Sequence, residues 1–121
     1  MSNDKIKLPH QHDSSTCQFL KSMPDQKVFD NVAETFNIIS DSSRVKILWL
    51  LCHCEECVTN IAVAVGMSPP AVSHHLRVLK QNKLISYRKD GKEVYYKLAE
   101  TELAKQVHRI VDSMFNIKCN I

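Results

Sequence analysis

Three closely spaced cysteines, Cys52, Cys54 and Cys57, are the residues of this chain best suited to chemistry. Thiolates bind thiophilic ions such as Zn(II), Cd(II), Pb(II) and As(III) in preference to hard cations. Three thiolates suit the pyramidal coordination of As(III) or Pb(II), and four suit tetrahedral Zn(II) or Cd(II). The spacing therefore indicates a site for a thiophilic metal ion, and no organic cofactor is expected.

The number of cysteines bears on the competing chemistry of disulfides. The chain has five cysteines, and its N-terminal segment lacks the apolar stretch of a signal peptide, so we expect a cytoplasmic protein. An odd number of thiols in a reducing compartment argues against a disulfide framework and leaves metal binding or redox sensing. A buried free thiol is an equally good interpretation of any single cysteine, but not of the group of three.

Composition excludes several classes of function. The chain has 121 residues, enough for one domain with one core, and 44% of them are hydrophobic, as in an ordinary soluble globular protein. No apolar run approaches the roughly 18–20 residues that span a bilayer, so we expect no membrane partner. With two glycines and no His-Glu-x-x-His motif, the chain offers neither a phosphate-cradling loop nor a hydrolytic metal motif. We therefore expect that it is not an enzyme.

Apolar periodicity predicts a mainly α-helical fold with one β-hairpin. Residues 1–24 are polar and without period, which predicts a flexible arm before a single domain over residues 25–121. Five helices are predicted within that domain, and they begin near Val28, after a cap at Asp41 or Ser42, near Cys57, after a cap at Ser68, and near Thr101. The Asp-Gly pair at 90–91 lies between two β-prone runs and predicts the tight turn of a hairpin.

The third and fourth predicted helices, with the hairpin, are typical of a winged helix-turn-helix. Gly66 suits the left-handed end of the third helix, and Ser68 with Pro69 suits the start of the fourth. An α-helix fits the major groove of B-DNA, and its first turns carry the side chains nearest to the bases. DNA contacts are accordingly predicted for these residues of the fourth helix and the hairpin: Ser68, Pro70, Ser73, His74, Arg77, Arg88, Lys89 and Lys92.

The distribution of charge supports a nucleic-acid partner. Residues 68–97 contain seven lysines and arginines against two acidic residues, a net charge of +5, so the rest of the chain sums to −2 of the total +3. Basic charge concentrated on one segment is expected of a surface that binds phosphates. A solvated basic face without a partner is the alternative, and the order of the elements favours DNA over it.

A homodimer on a two-fold operator is expected because one winged helix contacts few phosphates and few bases. The first and last predicted helices carry more apolar surface than a domain of this size easily covers. Candidates for the dimer interface are therefore Val28, Phe36, Val107, Ile110, Met114 and Phe115. The alternative is that these side chains complete the core of the monomer.

Four segments resemble the ArsR/SmtB repressors over about residues 28–114. They begin at Ile39 (ISDSSRVKIL), Cys57 (CVTNIA), Met67 (MSPPAVSHHLRVL) and Tyr87 (YRKDGK). The resemblance implies a homodimer that represses a metal efflux or detoxification operon and leaves its operator when the metal binds. It also implies an inducing site at the start of the third predicted helix, completed by N-terminal cysteine or histidine from the partner subunit.

The chain departs from the family pattern at this inducing site. Cys57 is present, but Thr59 and Asn60 stand where the family has a second cysteine and an acid. The predicted ligands are therefore the cysteines of this segment together with one from the arm: Cys57, Cys54, Cys52 and Cys17. Three histidines are candidates for additional nitrogen ligands: His10, His12 and His53.

The family's second site, which uses Asp and His pairs across the last helices, is not expected in this chain. Its matching positions hold Glu100, Glu102, Ser113 and Asn116, so both histidines of its second half are lost. The predicted function is a repressor that binds double-stranded operator DNA as a homodimer and dissociates when it binds a thiophilic metal ion. The alternative that the residues leave open is a repressor of the same fold that senses thiol redox state or persulfides.

Overall fold

The chain divides into a small N-terminal unit, Met1–Glu34, and a larger C-terminal unit, Thr35–Ile121. The computed structural model describes residues 6–10, 12 and 14–119. Part of the predicted flexible arm, at 1–5, 11 and 13, lies outside the described residues.

The first unit contains a helix that the apolar pattern does not predict. This helix, α1 (Ser14–Lys21), is followed by α2 (Gln26–Ile38), most of which belongs to the same unit. Only Phe19 and Leu20 are large apolar residues among the eight of α1, which is too few to show a helical period. The position of α2 agrees with the first predicted helix.

The second unit is a winged helix-turn-helix, as the sequence predicts. After the end of α2 its elements are α3 (Ser42–Leu51), β1 (Glu56–Cys57), α4 (Val58–Val65), α5 (Pro69–Gln81), β2 (Ile85–Asp90), β3 (Glu93–Leu98) and α6 (Glu102–Cys119). Helices α4 and α5 form the helix-turn-helix, and β2 with β3 forms the wing. Strand β1 has no counterpart in the sequence prediction, because two residues are too few to show a period.

The three strands form one antiparallel sheet in the order β1-β3-β2. Asp90 faces Glu93 at the end of the hairpin, and Gly91 in its turn has a φ of 62°. In the middle of the sheet Cys57 faces Tyr95, which faces Arg88 on its other side. A single row of residues therefore crosses from the cysteine segment to the outer strand of the wing.

Helices α3, α4 and α5 supply most of the hydrophobic core. The largest side chains less than 2% exposed are Ile47, Leu48, Ile61, Val72, Leu76, Leu79 and Leu84. The buried stripe of α5 is the one that its apolar spacing predicts, so the opposite side of this helix faces solvent. This arrangement leaves the polar side of α5 available for an interaction outside the domain.

Val107 on α6 is buried, and its prediction as a dimer contact is wrong. It is 2% exposed and packs in the core cluster with Val111, one turn further along the helix. The apolar residues of α6 cover more than one side of the helix, and only the inner side, with Ala104, reaches the core. Sequence spacing alone does not separate the two sides.

The other interface candidates remain at the surface. They are between 38% and 57% exposed: Val28, Phe36, Ile110, Met114 and Phe115. Within the residues that the structure describes, no helix is both long and apolar enough to cross a membrane.

Capping side chains begin the helices that carry the helix-turn-helix. Oδ1 of Asp41 accepts hydrogen bonds from the amides of Ser43 (2.8 Å) and Arg44 (3.1 Å), which identifies Asp41 as the cap of α3. The bond from Arg44, with that from Ser43, holds the pKa of the Asp41 carboxyl below its ordinary value. Ser68 accepts from the amide of Ala71 (3.3 Å) at the start of α5. The cap predicted at Ser68 is therefore confirmed.

Gly66 sets the angle between α4 and α5. It follows the last residue of α4 with a φ of 71° and a ψ of 38°, the left-handed conformation expected of a glycine at this position. The amide of Met67 donates to the carbonyl of Ala62 (3.0 Å), which closes the helix end. The helix-turn-helix therefore depends on a backbone conformation that other residues adopt at a cost.

We expect Gly66→Ala to destabilise the domain by about 1 kcal/mol, because a Cβ is unfavourable in the left-handed conformation. A Cβ added to Gly66 would meet no heavy atom within 4 Å, so backbone strain and not a clash is the cause. Thermal unfolding at one protein concentration should show a melting temperature several degrees lower. Val63→Ala, at an 80% exposed position of the same helix, is the control and should cause no such loss. An unchanged melting temperature for Gly66→Ala would contradict this account.

Candidate nucleic-acid interface and cysteine segment

The outward side of α5 presents polar side chains over its first two turns. The four predicted contacts within this helix are all exposed: Pro70, Ser73, His74 and Arg77. They are held in place because the inner side of α5 is packed in the core. Ser68, at the cap, is also exposed. The structure therefore brings together the five residues of this region that the sequence selects.

The wing lies beside α5. A cleft of about 230 Å³ between them is lined by Ser73, Leu76, Arg77, Lys80 and Tyr96. Nζ of Lys80 on α5 sits 4.7 Å from the ring centre of Tyr87 on β2, a cation–π contact that joins the helix to the wing. Lys89 and Lys92, near the tip of the hairpin, are exposed. Helix and wing thus form one continuous basic surface.

Arg88 differs from the other predicted DNA contacts because its guanidinium is engaged within the chain. Its Nη2 lies 2.8 Å and its Nε 2.9 Å from Oε1 of Glu55, and its Nη1 lies 3.7 Å from Oδ2 of Asp90. The guanidinium also stacks 4.8 Å from the ring centre of Tyr95. The hydrogen bond from Arg88 lowers the pKa of the Glu55 carboxyl, which remains ionised at neutral pH. Arg88 therefore connects the wing to the segment that holds the cysteines.

The cysteine segment connects α3 to α4. Cys52 caps the end of α3 and is partly buried, whereas Cys54 in the following turn is exposed. Cys57 is buried where β1 ends and α4 begins. Cys17 is exposed in the first unit. The side chain of Cys119 lies outside the described residues.

The thiols of Cys52 and Cys54 are poor nucleophiles at neutral pH. Burial, followed by the nearby Asp112 carboxylate, raises the pKa of Cys52 to about 11. Burial, followed by the Glu56 carboxylate, also raises the pKa of Cys54. The Cys54 thiol donates a hydrogen bond to the carbonyl of Leu50 (3.3 Å). Because the thiolate is the reactive form, these environments disfavour redox chemistry and require that a metal displace the protons.

The cysteine sulfurs are not gathered into a closed site. Among the described residues, the His, Cys, Asp and Glu side chains include one set of three whose ligand atoms all lie within 4.8 Å of one another, and it contains no cysteine. This set consists of His53, His108 and Asp112. The sequence prediction includes His53 as a candidate ligand but misses its two partners on α6. His108 and Asp112 are four residues apart, which places them next to each other on a helix, and this spacing could have been noticed in the sequence.

The acidic residues that match the family's second site do not form a cluster. Glu100 and Glu102 are exposed, as are Ser113 and Asn116. Oε1 of Glu102 instead accepts a hydrogen bond from Gln106 (3.2 Å). The four positions therefore contribute nothing to the one three-residue ligand set in the described part of the chain.

Glu56 organises the start of α4. Its Oε2 accepts hydrogen bonds from the amide of Cys57 (3.1 Å) and from Nδ2 of Asn60 (2.9 Å). A carboxylate at this position also interacts favourably with the positive end of the helix dipole. Asn60, which replaces an acid of the family pattern, therefore has a local structural partner.

Comparison with known proteins places these features in a family. The family model for the bacterial regulatory protein, arsR family, matches residues 41–87, from the cap of α3 into β2. The transcriptional repressor SmtB homolog of Synechocystis sp. is 36% identical over 83 residues, which are 69% of this chain and 63% of that protein. The cadmium resistance transcriptional regulatory protein CadC homolog of Staphylococcus aureus is 34% identical over 110 residues, 90% of each chain. The chain thus spans just under two thirds of the first relative and nearly all of the second.

A solved structure agrees with the same assignment. The homodimeric winged helix-turn-helix DNA-binding domain from Mycobacterium bovis superposes with a TM-score of 0.65 at 30% identity, covering 78% of this chain and 88% of that chain. These relatives are regulators and not enzymes, in agreement with the sequence prediction. On its helix-turn-helix, its wing and these similarities, the chain belongs to the ArsR family of bacterial transcriptional regulators.

Proposed function

We propose that this chain is a transcriptional repressor that binds operator DNA as a homodimer and releases it on binding a thiophilic metal ion. The observation that carries the proposal is the row of residues across the sheet. It joins Cys57, at the end of β1, through Tyr95 to Arg88 in the wing. A ligand that moves the cysteine segment therefore acts directly on one half of the DNA-binding surface.

DNA binding is supported by the surface that α5 and the wing form together. Ser73 and His74 offer hydrogen-bonding groups on the exposed side of α5, where a helix in the major groove presents its side chains to base edges. Lys89 and Lys92 at the wing supply positive charge for phosphates, which positions the protein without reading sequence. The proposed roles are thus base contact for the helix and backbone contact for the wing.

Dimerisation is supported by apolar surface that the single chain leaves uncovered. A groove of about 540 Å³ runs between the end of α2 and α6, and its lining residues are Phe36, Ile39, Ser40, Val45, Ile110, Val111, Met114 and Phe115. Covering this surface with a second copy would remove apolar area from water. The related domain from M. bovis is homodimeric, which agrees with a dimer of this chain.

The two proposed roles in DNA binding predict different effects of substitution. Lys89→Ala should weaken binding to any duplex and lower the slope of log affinity against log salt by about 0.9, because one phosphate contact is lost. His74→Ala should weaken binding to the operator by roughly 1–3 kcal/mol and leave binding to random duplex unchanged. The operator is the duplex that the protein enriches from a random library, and binding is measured by fluorescence anisotropy at several salt concentrations.

Lys21→Ala, in α1 of the first unit, is the control for the loss of a lysine. It should change neither the affinity nor the salt slope. Equal effects of His74→Ala on operator and random duplex would contradict the proposed base contact.

The proposed inducer is a thiophilic ion of the group Cd(II), Pb(II), Zn(II) and As(III), bound by Cys57, Cys54 and Cys52 with Cys17 of the other subunit. Sulfur ligands select this group. The related staphylococcal regulator is named for cadmium resistance, which agrees with a soft inducer. The raised pKa values of Cys52 and Cys54 hinder a redox or persulfide sensor, which needs an accessible thiolate, and they mean that a bound ion would have to displace both protons.

Metal binding would reach the wing by moving β1. The sulfurs of the segment must approach one another to share an ion, and Cys57 cannot move without displacing the strand pair it forms with Tyr95. Glu55, between the cysteines, would carry Arg88 with it through their ion pair. The metal-bound state would then hold the wing in a position that fits DNA less well, which is the differential affinity that release requires.

We expect Cd(II) added to reduced, metal-free protein to produce a thiolate-to-metal absorption band that saturates as the operator is released. Cys57→Ser should weaken the band, lower the Cd(II) affinity by at least about tenfold and abolish release. Cys119→Ser removes a thiol outside the segment and is the matched control. An operator affinity that does not change on addition of Cd(II), Pb(II), Zn(II) or As(III) would contradict the proposed metal response. Mass spectrometry after persulfide treatment would then test the redox alternative.

The link between Glu55 and Arg88 makes a separate prediction about coupling. Glu55→Gln removes the charge that holds Arg88, so Cd(II) should still bind with wild-type affinity but release the operator less completely. The ratio of operator affinities without and with Cd(II), of the order of 5–150 in linked systems, should fall toward one. Asp90→Asn, which removes only the 3.7 Å contact of Arg88, is the control and should change this ratio less. An unchanged ratio in Glu55→Gln would show that the wing receives the signal by another route.

A further inference from the structure

Two histidines and a carboxylate meet between the turn after α3 and the middle of α6. His108 and Asp112 lie one turn apart on α6, with Nε2 of the histidine 2.9 Å from Oδ2 of the carboxylate. Nε2 of His53 lies 3.9 Å from Oδ1 of the same carboxylate. The three side chains are between 33% and 50% exposed, so an ion can reach them from solvent.

The spacing of these atoms is close to that of a metal site. Zinc binds nitrogen and oxygen ligands at about 2.0–2.2 Å in a tetrahedron, which places neighbouring ligand atoms about 3.4 Å apart. The three ligand atoms already lie within 4.8 Å of one another. A shift of about 1 Å, within the range of small side-chain rotations, therefore brings them to bonding distance of one ion.

A hydrogen bond already orients His53 for this role. Its Nδ1 lies 2.6 Å from the carbonyl oxygen of Trp49, which can only accept, so Nδ1 carries a proton and, in the neutral imidazole, Nε2 is the nitrogen free to bind an ion. Histidine ligands of metals are usually held in this way by a backbone carbonyl or a carboxylate. The ring of Trp49 also packs 5.1 Å from that of His53, which restricts its rotation.

We infer that His53, His108 and Asp112 form a second metal site, for a divalent ion of borderline character such as Zn(II), with solvent in the fourth position. Imidazole and carboxylate ligands suit this class of ion, whereas the cysteine segment suits thiophilic ions. The site needs one chain only, and it involves none of the four positions that match the family's second site. It does not rest on the function proposed above, since it stands on a different set of ligands.

Occupancy of this site would join the end of α3 to α6. His53 lies in the turn after α3, between Cys52 and Cys54. His108 and Asp112 lie on α6. The same helix carries Ile110 and Met114, two of the exposed apolar residues proposed for the dimer interface. An ion bound only by the folded chain adds its binding free energy to the stability of the domain.

The test is a titration of the reduced full chain with Zn(II), followed by NMR of the histidine side chains and the cysteine β-carbons. The imidazole signals of His53 and His108 should shift together on binding, and the melting temperature should rise with Zn(II) concentration. Asp112→Asn and His108→Gln should each weaken this binding by at least about tenfold. Glu100→Gln, an exposed carboxyl that matches the family's second site, is the control and should bind as the wild type does.

The outcomes separate this site from the thiolate site. Zn(II) that shifts the cysteine signals and leaves both imidazoles unchanged would overturn the inference and leave the proposed function standing. Imidazole shifts in Asp112→Asn as large as in the wild type would also overturn it. Because these variants change side chains that are partly exposed, melting curves in metal-free buffer will show that each is folded before metal is added.

Discussion

The pairing of β1 with β3 is the constraint on which the rest of the domain depends. Cys57 ends β1 and also precedes the first residue of α4, so the position of the strand determines where the first helix of the helix-turn-helix begins. Gly66 then fixes the turn into α5, and the core holds the inner side of α5. The DNA-binding surface is therefore built outward from the sheet, and the cysteines lie at the first step of that construction.

Charge divides the domain into two different regions. Positive charge is concentrated in α5 and the wing, whereas the segment before α4 carries Glu55 and Glu56 among its cysteines. Both carboxylates have partners within the chain: Glu55 pairs with Arg88, and Glu56 accepts a hydrogen bond from the backbone at the start of α4. In the proposed function, an ion bound by the neighbouring cysteines would alter the contacts through which Glu55 holds the wing.

Much of the fold could be predicted from the sequence because the signals are local. Gly66, the Ser68 cap and the turn at 90–91 each follow from the chemistry of one or two residues, and the structure has the element that each predicts. What escaped prediction depends on contacts between distant residues. Strand β1 exists only because β3 lies beside it, and the inner position of Val107 is decided by which side of α6 meets the core. The pairing of Arg88 with Glu55 and the meeting of His53 with α6 likewise join residues far apart in sequence.

The shortness of β1 has an energetic consequence. With two residue pairs against β3, the strand is held by few backbone hydrogen bonds, each of which contributes on the order of 1 kcal/mol net. Detaching it therefore costs about as much as the 1–3 kcal/mol by which linked binding sites usually influence each other. In the mechanism proposed above, a strand of five or six residues would hold the wing too firmly for an ion to disturb. The length of β1 would then set the sensitivity of the domain to the ion, because a ligand can transmit a signal through a strand contact only if it can break or remake that contact.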